Sequence, residues 1–266
     1  MRTVRVQGGL GNQLFCLAFA HSIAVLTGEA TALDVAAYRS DRYGHDFDLS
    51  DLAARLGLLV VARHPGLSAR ATTALMRAAP APGYVSQGRP PTDGGLRALA
   101  HRGGYFNGYW QDEAYIAEPE RLRRQVRDFL LEKGGPAVTH DLVIHYRTYK
   151  EEVRPDRRRV PGPAFFHRAL AHLEARHPPL DEIVLISDDP ALALQRLGEI
   201  GRRVAVAQSR GPWADMALMI KARELILTNS SFSWWGGFCG DAQVALYPER
   251  GDLFHYPRPA ARFTVI

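Results

Sequence analysis

Cysteine, lysine and long apolar runs are what this 266-residue chain has little of. The two cysteines, Cys16 and Cys239, lie far apart and flank no metal-ligand spacing. That excludes a disulfide framework and a cysteine-built metal site, and it suits a reducing cytoplasm. No apolar run reaches the roughly 18 residues that a membrane-crossing helix needs. Val4-Arg5-Val6-Gln7 turns straight into a glycine loop, where a secretory leader would carry its apolar stretch. Only Lys133, Lys150 and Lys221 are lysines among 33 basic residues. The rest are arginine, whose planar fork suits phosphate. The net charge is +5, but the basic residues are scattered and not interleaved with exposed aromatics, so nucleic acid is not the expected partner. There is no Asp-x-Asp metal motif beside a donor strand, and no low-complexity run outside an Ala/Pro/Arg-rich region. What remains, 46% apolar and 23% charged residues, is an ordinary globular composition with room for one large domain or two small ones.

The order of segments predicts an α/β fold. Strands are expected over 3–7, 30–35 and 105–109, with helices over 13–26, 68–79 and 118–132. Gly134-Gly135-Pro136 is the best linker candidate. After it the alternation becomes regular. Strands are expected over 142–145, 183–187, 203–207, 225–227 and 244–247, with helices over 163–176, 190–199, 214–222 and 232–239. That pattern implies βαβ units on a parallel sheet.

The segment with most chemistry is Leu227-Thr228-Asn229-Ser230-Ser231-Phe232-Ser233-Trp234-Trp235-Gly236-Gly237. A buried strand ends there in small hydrogen-bonding residues, where ligands of α/β folds sit. Hydroxyls and an amide without charge suit a phosphate or a sugar; a helix cap followed by core tryptophans is the structural alternative. Gln7-Gly8-Gly9-Leu10-Gly11-Asn12-Gln13 is a second such loop. Its glycines admit a close ligand, and the following helix start offers free N–H groups. It is not a dinucleotide fingerprint, because Leu14 stands where the third glycine belongs. Asn12 and Gln13 either face that cleft or cap the turn. Arg147, at the end of the 142–145 strand, is placed for a bidentate phosphate contact or a surface ion pair. Ser187-Asp188-Asp189-Pro190 is a second strand end or a helix cap. Asp215 is a first-turn carboxylate or a base-recognition group. Gly108-Tyr109-Trp110-Gln111 closes the last strand of the first half, with Gln111 able to face a cleft.

In order and spacing, over about residues 4–248, these pieces resemble the bacterial α-1,2-fucosyltransferases, glycosyltransferase family 11. Gly8 to Phe15 with Ala18-Phe19-Ala20 is similar to the family's N-terminal signature. Gly108-Tyr109-Trp110-Gln111 resembles its Gly-Tyr-Phe-Gln element, and Ile186-Ser187-Asp188-Asp189 its Phe-Ser-Asp-Asp element. Asp215-Met216-Ala217-Leu218-Met219 resembles its Asp-x-x-x-Met helix, and Asn229 to Gly236 is nearly identical to its most specific motif. One departure stands out. The family's central His-x-Arg-Arg-Gly-Asp-Tyr is here His145-Tyr146-Arg147-Thr148-Tyr149-Lys150. The second Arg, the Gly and the Asp are gone, and Glu151, Glu152 and Asp156 are the nearest acidic replacements.

The resemblance implies a GT-B fold, two facing Rossmann-like domains with parallel sheets: 1–134 on the acceptor side and 135–266 for the donor. It implies an inverting transferase that uses a GDP-sugar, L-fucose first, with neither metal nor further cofactor. Arg147 and Lys150 would hold the diphosphate, with Asn229, Ser230, Ser231, Ser187 and Asp188 around the donor. Asp215 would meet the guanine edge. Gly9, Gly11 and Asn12 would approach from the other domain, and Gln13, Tyr109 and Gln111 would meet the acceptor. His145 and Glu151 are the candidate proton acceptors. The acceptor would be a glycan or secondary metabolite, and a lipid-linked one would bring the enzyme to a membrane surface. Two alternatives stay open: another nucleotide sugar in antibiotic or surface-glycan assembly, and a degenerate carbohydrate- or nucleotide-binding relative.

Overall fold

The computed structural model describes residues 1–40, 46–62, 83–92, 94–148, 161–176, 182–198, 200–208, 210–249 and 257–266. The helix expected over 68–79 lies outside them, as do Lys150, Glu151, Glu152 and Asp156. The described chain folds as two α/β units, Met1–Leu122 and Arg123–Ile266. Each is built on a parallel sheet, as the alternation of elements predicts.

In the N-terminal unit β1 (Arg2–Arg5) pairs with β2 (Thr31–Asp34) on one side and β5 (Tyr105–Asn107) on the other. β3 (Leu59–Val61) and β4 (Tyr84–Ser86) form the edges, giving the order β3-β2-β1-β5-β4. Helix α1 (Leu10–Thr27) joins β1 to β2 and lies against both. Nearly every residue from Leu10 to Ile23 is buried, so α1 has no polar face and works as a core helix. This corrects the expectation on apolar runs. Over its 18 residues α1 is long and apolar enough to cross a membrane by length and composition, although 72% of it is buried in this unit. Uncharged polar residues interrupt the run, and Ser22 is satisfied inside the fold. Ser22 Oγ donates to Ala18 O at 2.8 Å and accepts from Ala117 N–H at 2.8 Å. The helix stops at Gly28, whose φ of 69° only glycine adopts cheaply. Two short helices, α2 (Ser50–Arg55) and α3 (Gly95–His101), complete the labelled elements here.

Helix α4 (Pro119–Gly134) spans the division between the units. Leu122, Val126, Phe129 and Leu130 recur at helical spacing on its buried stripe. The linker candidate is the end of this helix. A Cβ on Gly134 would stand 2.5 Å from Trp213 O, so that glycine permits close packing.

The C-terminal unit carries β6 (Leu142–Tyr146), β7 (Glu182–Ser187), β8 (Arg203–Val206), β9 (Glu224–Ile226), β10 (Val244–Tyr247) and β11 (Thr264–Val265). They lie in the order β11-β10-β9-β6-β7-β8. Helices α5 (Pro163–Glu174), α6 (Pro190–Leu197), α7 (Pro212–Lys221) and α8 (Ser231–Cys239) connect them. All five residues of β6 are buried, as a central parallel strand covered on both faces requires. Leu142, Ile144 and Tyr146 pack with Phe165, Phe166, Leu185 and Ile226 in one core. The chain runs from β6 outward to β8, then returns to β9 on the other side of β6. The connections that leave the C-terminal ends of β6 and β9 therefore run to opposite sides of the pair, and such a switch point opens a crevice.

Candidate functional site

Three loops leave the C-terminal ends of β9, β6 and β7, and side chains tie them together. The backbone N–H of Arg147, after β6, donates to Thr228 Oγ1, after β9, at 3.4 Å. Thr148 donates its N–H and its hydroxyl to Asp188 Oδ1, after β7, at 2.7 and 2.9 Å. Asp188 Oδ2 lies 3.6 Å from Arg147 Nε. The Asp188 side chain is 9% exposed, whereas that of Arg147 is 44% exposed. The guanidinium thus stands at the rim while its carboxylate partner sits beneath.

The Ser187-Asp188-Asp189 segment divides its work. Ser187 Oγ accepts from Asp189 N–H at 3.1 Å, closing the turn. Asp189 Oδ1 accepts from Leu192 N–H at 3.1 Å and caps α6. Asp188 braces Thr148 and Arg147. Thr148 stands where the family pattern has its second Arg, and it serves as the donor pair for this carboxylate. Replacing Asp188 by Ala is expected to lower stability by about 1–3 kcal/mol, the cost of leaving buried donors unmet. Asp188→Asn keeps an acceptor for Thr148 and should lose less. A denaturant melt checks both, and wild-type stability in Asp188→Ala would remove the brace.

Ser230 caps α8: its Oγ accepts from Ser233 N–H at 3.0 Å. Asn229, Ser231 and Phe232 are half-buried around this helix start, whereas Trp234 and Trp235 are fully buried behind it. The N-terminus of α8 therefore opens at the switch point, with unpaired helical N–H groups and the positive end of the helix dipole. His145 is 4% exposed, and its Nδ1 contacts Ser233 Oγ. Burial, helped by the Arg147 charge and opposed by Asp188, pulls its pKa down to about 3. A ring held neutral and enclosed is a poor proton acceptor, which corrects its reading as a catalytic base. Asp215 lies in the first turn of α7, whose cap is Gly211. It is half-buried and follows β8 at the same sheet edge.

In the N-terminal unit the loops after the neighbouring strands β1 and β5 lie together. Gly8 takes φ 84°, and a Cβ there would stand 2.5 Å from Asn12 Nδ2. Gly9 caps α1, and Gly11 is buried in its first turn. Asn12 Oδ1 accepts from Gln111 Nε2 at 2.6 Å, so the two loops are joined by an amide pair. Tyr109 and Gln111 are half-buried. Gln87 Oε1, unread in the sequence, accepts from both Tyr109 N–H and Trp110 N–H at 2.7 and 2.9 Å. Gln13 is fully buried. Its amide donates to Asp46 O at 2.7 Å and accepts from Asp48 N–H at 3.1 Å. That removes it from the acceptor-binding set: it docks the 46–48 loop onto α1.

The model of Glycosyl transferase family 11 matches residues 149–248, which hold the Ser187, Asp215 and Asn229–Gly236 motifs. An α-1,2-colitosyltransferase of Escherichia coli is 24% identical over 253 residues, 88% of this chain and 86% of that protein. The family resemblance is borne out. A fucosyltransferase NodZ from Bradyrhizobium is 15% identical with a TM-score of 0.43, over 88% of this chain and 91% of that one. POFUT1 in complex with GDP is 11% identical with a TM-score of 0.45, over 99% of this chain and 98% of that one. Glycosyl transfer is the activity class that the family match and the E. coli relative share. In family terms, Arg147 stands just before the matched segment, and the departure begins with Thr148. Sequence reading singles out neither Thr148 nor Gln87, and it gives Thr228 and Ser233 no role beyond their hydroxyl-rich segment; Thr148, Thr228 and Ser233 are buried and Gln87 is half-buried.

Proposed function

We propose that this chain is an inverting glycosyltransferase that moves L-fucose from GDP-fucose to a hydroxyl of a glycan or small-molecule acceptor. One observation carries the reading: a rim-exposed Arg147 and the open N-terminus of α8 are tied together at the switch point of β6 and β9. Both are complementary to a diphosphate. In the displacement, the acceptor oxygen bonds to the anomeric carbon as the bond from that carbon to the diphosphate breaks. Negative charge then grows on the leaving diphosphate, and Arg147 and the α8 N–H groups stabilise it without a metal. Lys150 would add a second cation, and Glu151 is the proposed acceptor of the hydroxyl proton. Asp215 accepts from the guanine edge. Tyr109 and Gln111 are the proposed acceptor contacts, and Asn12 a proposed donor contact. The colitosyltransferase relative favours a second reading, in which the same GDP site takes a sugar other than fucose.

GDP is expected to bind more tightly than UDP or dTDP in a calorimetric titration, and EDTA is expected to leave turnover intact. Preference for UDP or dTDP would remove Asp215 from base recognition. Turnover with a panel of GDP-sugars decides between the two donors, and absence of turnover with all of them would point to a binding relative.

A further inference from the structure

Four side chains meet beneath the Ser230–Ser231 turn. His145 Nδ1 contacts Ser233 Oγ and lies 3.4 Å from Thr228 Oγ1. Ser233 Oγ is 2.9 Å from Thr228 Oγ1 and 3.0 Å from Ser230 Oγ. None of the four residues is more than 5% exposed. Two of these oxygens already accept backbone donors: Thr228 takes the Arg147 N–H and Ser230 takes the Ser233 N–H.

The count of protons then matters, because each hydroxyl has one to give and two lone pairs to fill. Suppose the neutral imidazole carries its proton on Nε2. Ser233 then donates to the bare Nδ1 and accepts from Thr228 and Ser230, so the Ser230 proton points inward. Suppose instead that the proton sits on Nδ1. Ser233 then accepts from the imidazole and from Thr228, and donates to Ser230. Ser230 now accepts twice, and its own proton is free to point out of the fold. If Ser230 turned outward over a bare Nδ1, two oxygens 3.0 Å apart would face each other with no proton between them.

We propose that His145 and Ser233 are positioning residues: with the imidazole proton on Nδ1, their relay turns the Ser230 hydroxyl toward an oxygen of the donor diphosphate. The inference rests on the reading of this crevice as the diphosphate site. Both residues lie behind that site and act through Ser230. The depressed pKa of His145 keeps the ring uncharged, so the relay answers to the tautomer and not to protonation.

The test uses GDP as probe on the full chain. His145→Leu removes Nδ1, and His145→Asn puts an amide nitrogen about where Nδ1 stands. His145→Leu and Ser230→Ala are each expected to weaken GDP binding about fivefold, the scale of one neutral hydrogen bond. The double variant should be no weaker than Ser230→Ala alone, because both changes act through one hydroxyl. His145→Asn should keep affinity that His145→Leu loses. A nitrogen-15 spectrum of the GDP complex should show His145 protonated at Nδ1. Additive losses in the double variant, a bare Nδ1 in the complex, or equal affinities of His145→Asn and His145→Leu would each overturn the relay. Should His145→Leu fail to fold, the spectrum of the unaltered chain carries the test. Arg147→Ala separates the two levels. If it leaves GDP affinity unchanged, the diphosphate site itself is wrong and the relay falls with it. If it weakens GDP while His145→Leu does not, the relay alone is wrong.

Discussion

Trp235→Ala is expected to destabilise the chain by roughly 3–5 kcal/mol, the range for truncating a fully buried aromatic. Trp235 is 0% exposed. It packs edge-on against Trp234 at 5.1 Å and against Phe238 at 5.5 Å. Trp234 in turn stacks on Phe238 at 4.5 Å and donates its indole N–H to Arg258 O at 2.7 Å. The surroundings cannot close over the void, because α8 is already held at contact distance. A Cβ on Gly236 would lie 2.7 Å from the Met219 side chain, and one on Gly237 would lie 2.5 Å from Leu227 Cδ1. Against a total of about 5–15 kcal/mol for a typical domain, such a loss is a large fraction of stability. Urea unfolding followed by fluorescence measures it. GDP affinity per folded molecule should change little, since the indole lies behind the helix and not at its open end. Wild-type stability together with lost GDP binding would reverse the roles given to the tryptophans and the serines.

The two halves of the chain differ in how far their elements can be read, and the reason is physical. β6, β7 and β9 are buried parallel strands, so they appear as apolar runs such as Leu142-Val143-Ile144, and their ends could be placed. β3 and β4 have three residues each, and in β3 both Leu59 and Val60 are exposed. Such edge strands have no periodicity of their own and exist through pairing with β2 and β5. The same divide holds within the site. Arg147, Ser230 and Asp188 could be placed because each stands at a strand end. The Ser233 contact with His145 joins positions 88 apart in sequence, so no local pattern announces it. Gln13 shows the opposite failure. An amide beside a glycine turn reads the same whether it faces a ligand or the chain, and only the packing of residues 46–48 decides. Gly134 misleads likewise: glycine marks linkers and close helix packing alike, and here it lies against Trp213.

Arg147→Ala is expected to weaken GDP binding roughly ten- to hundredfold, since a charge-assisted phosphate contact is worth about 1.5–3 kcal/mol and each 1.4 kcal/mol is tenfold. The fold should be indifferent, because the side chain is 44% exposed and its contact to Asp188 Oδ2 at 3.6 Å is longer than a strong bidentate pair. Asp188 keeps its two bonds from Thr148 in the variant, so the loop after β6 stays anchored. Removing the guanidinium also takes one counter-charge away from the Asp188 carboxylate beside the proposed diphosphate position. At 4 Å two unit charges still repel by about 1 kcal/mol in a water-like dielectric and by more in a closed crevice. The loss should therefore lie toward the upper end of the range, and Arg147→Ala with Asp188→Asn should recover part of it. Arg147→Lys should also recover only part, because an ammonium restores the charge but not the planar fork that can face Asp188 and a phosphate together. If diphosphate contact is the role of Arg147, turnover of the GDP-sugar should fall at least as far as affinity, since charge on the leaving group grows along the reaction. Unchanged GDP affinity in a folded Arg147→Ala chain would take Arg147 out of the site. An unchanged affinity with a large loss of turnover would instead place it at the acceptor or the reacting carbon.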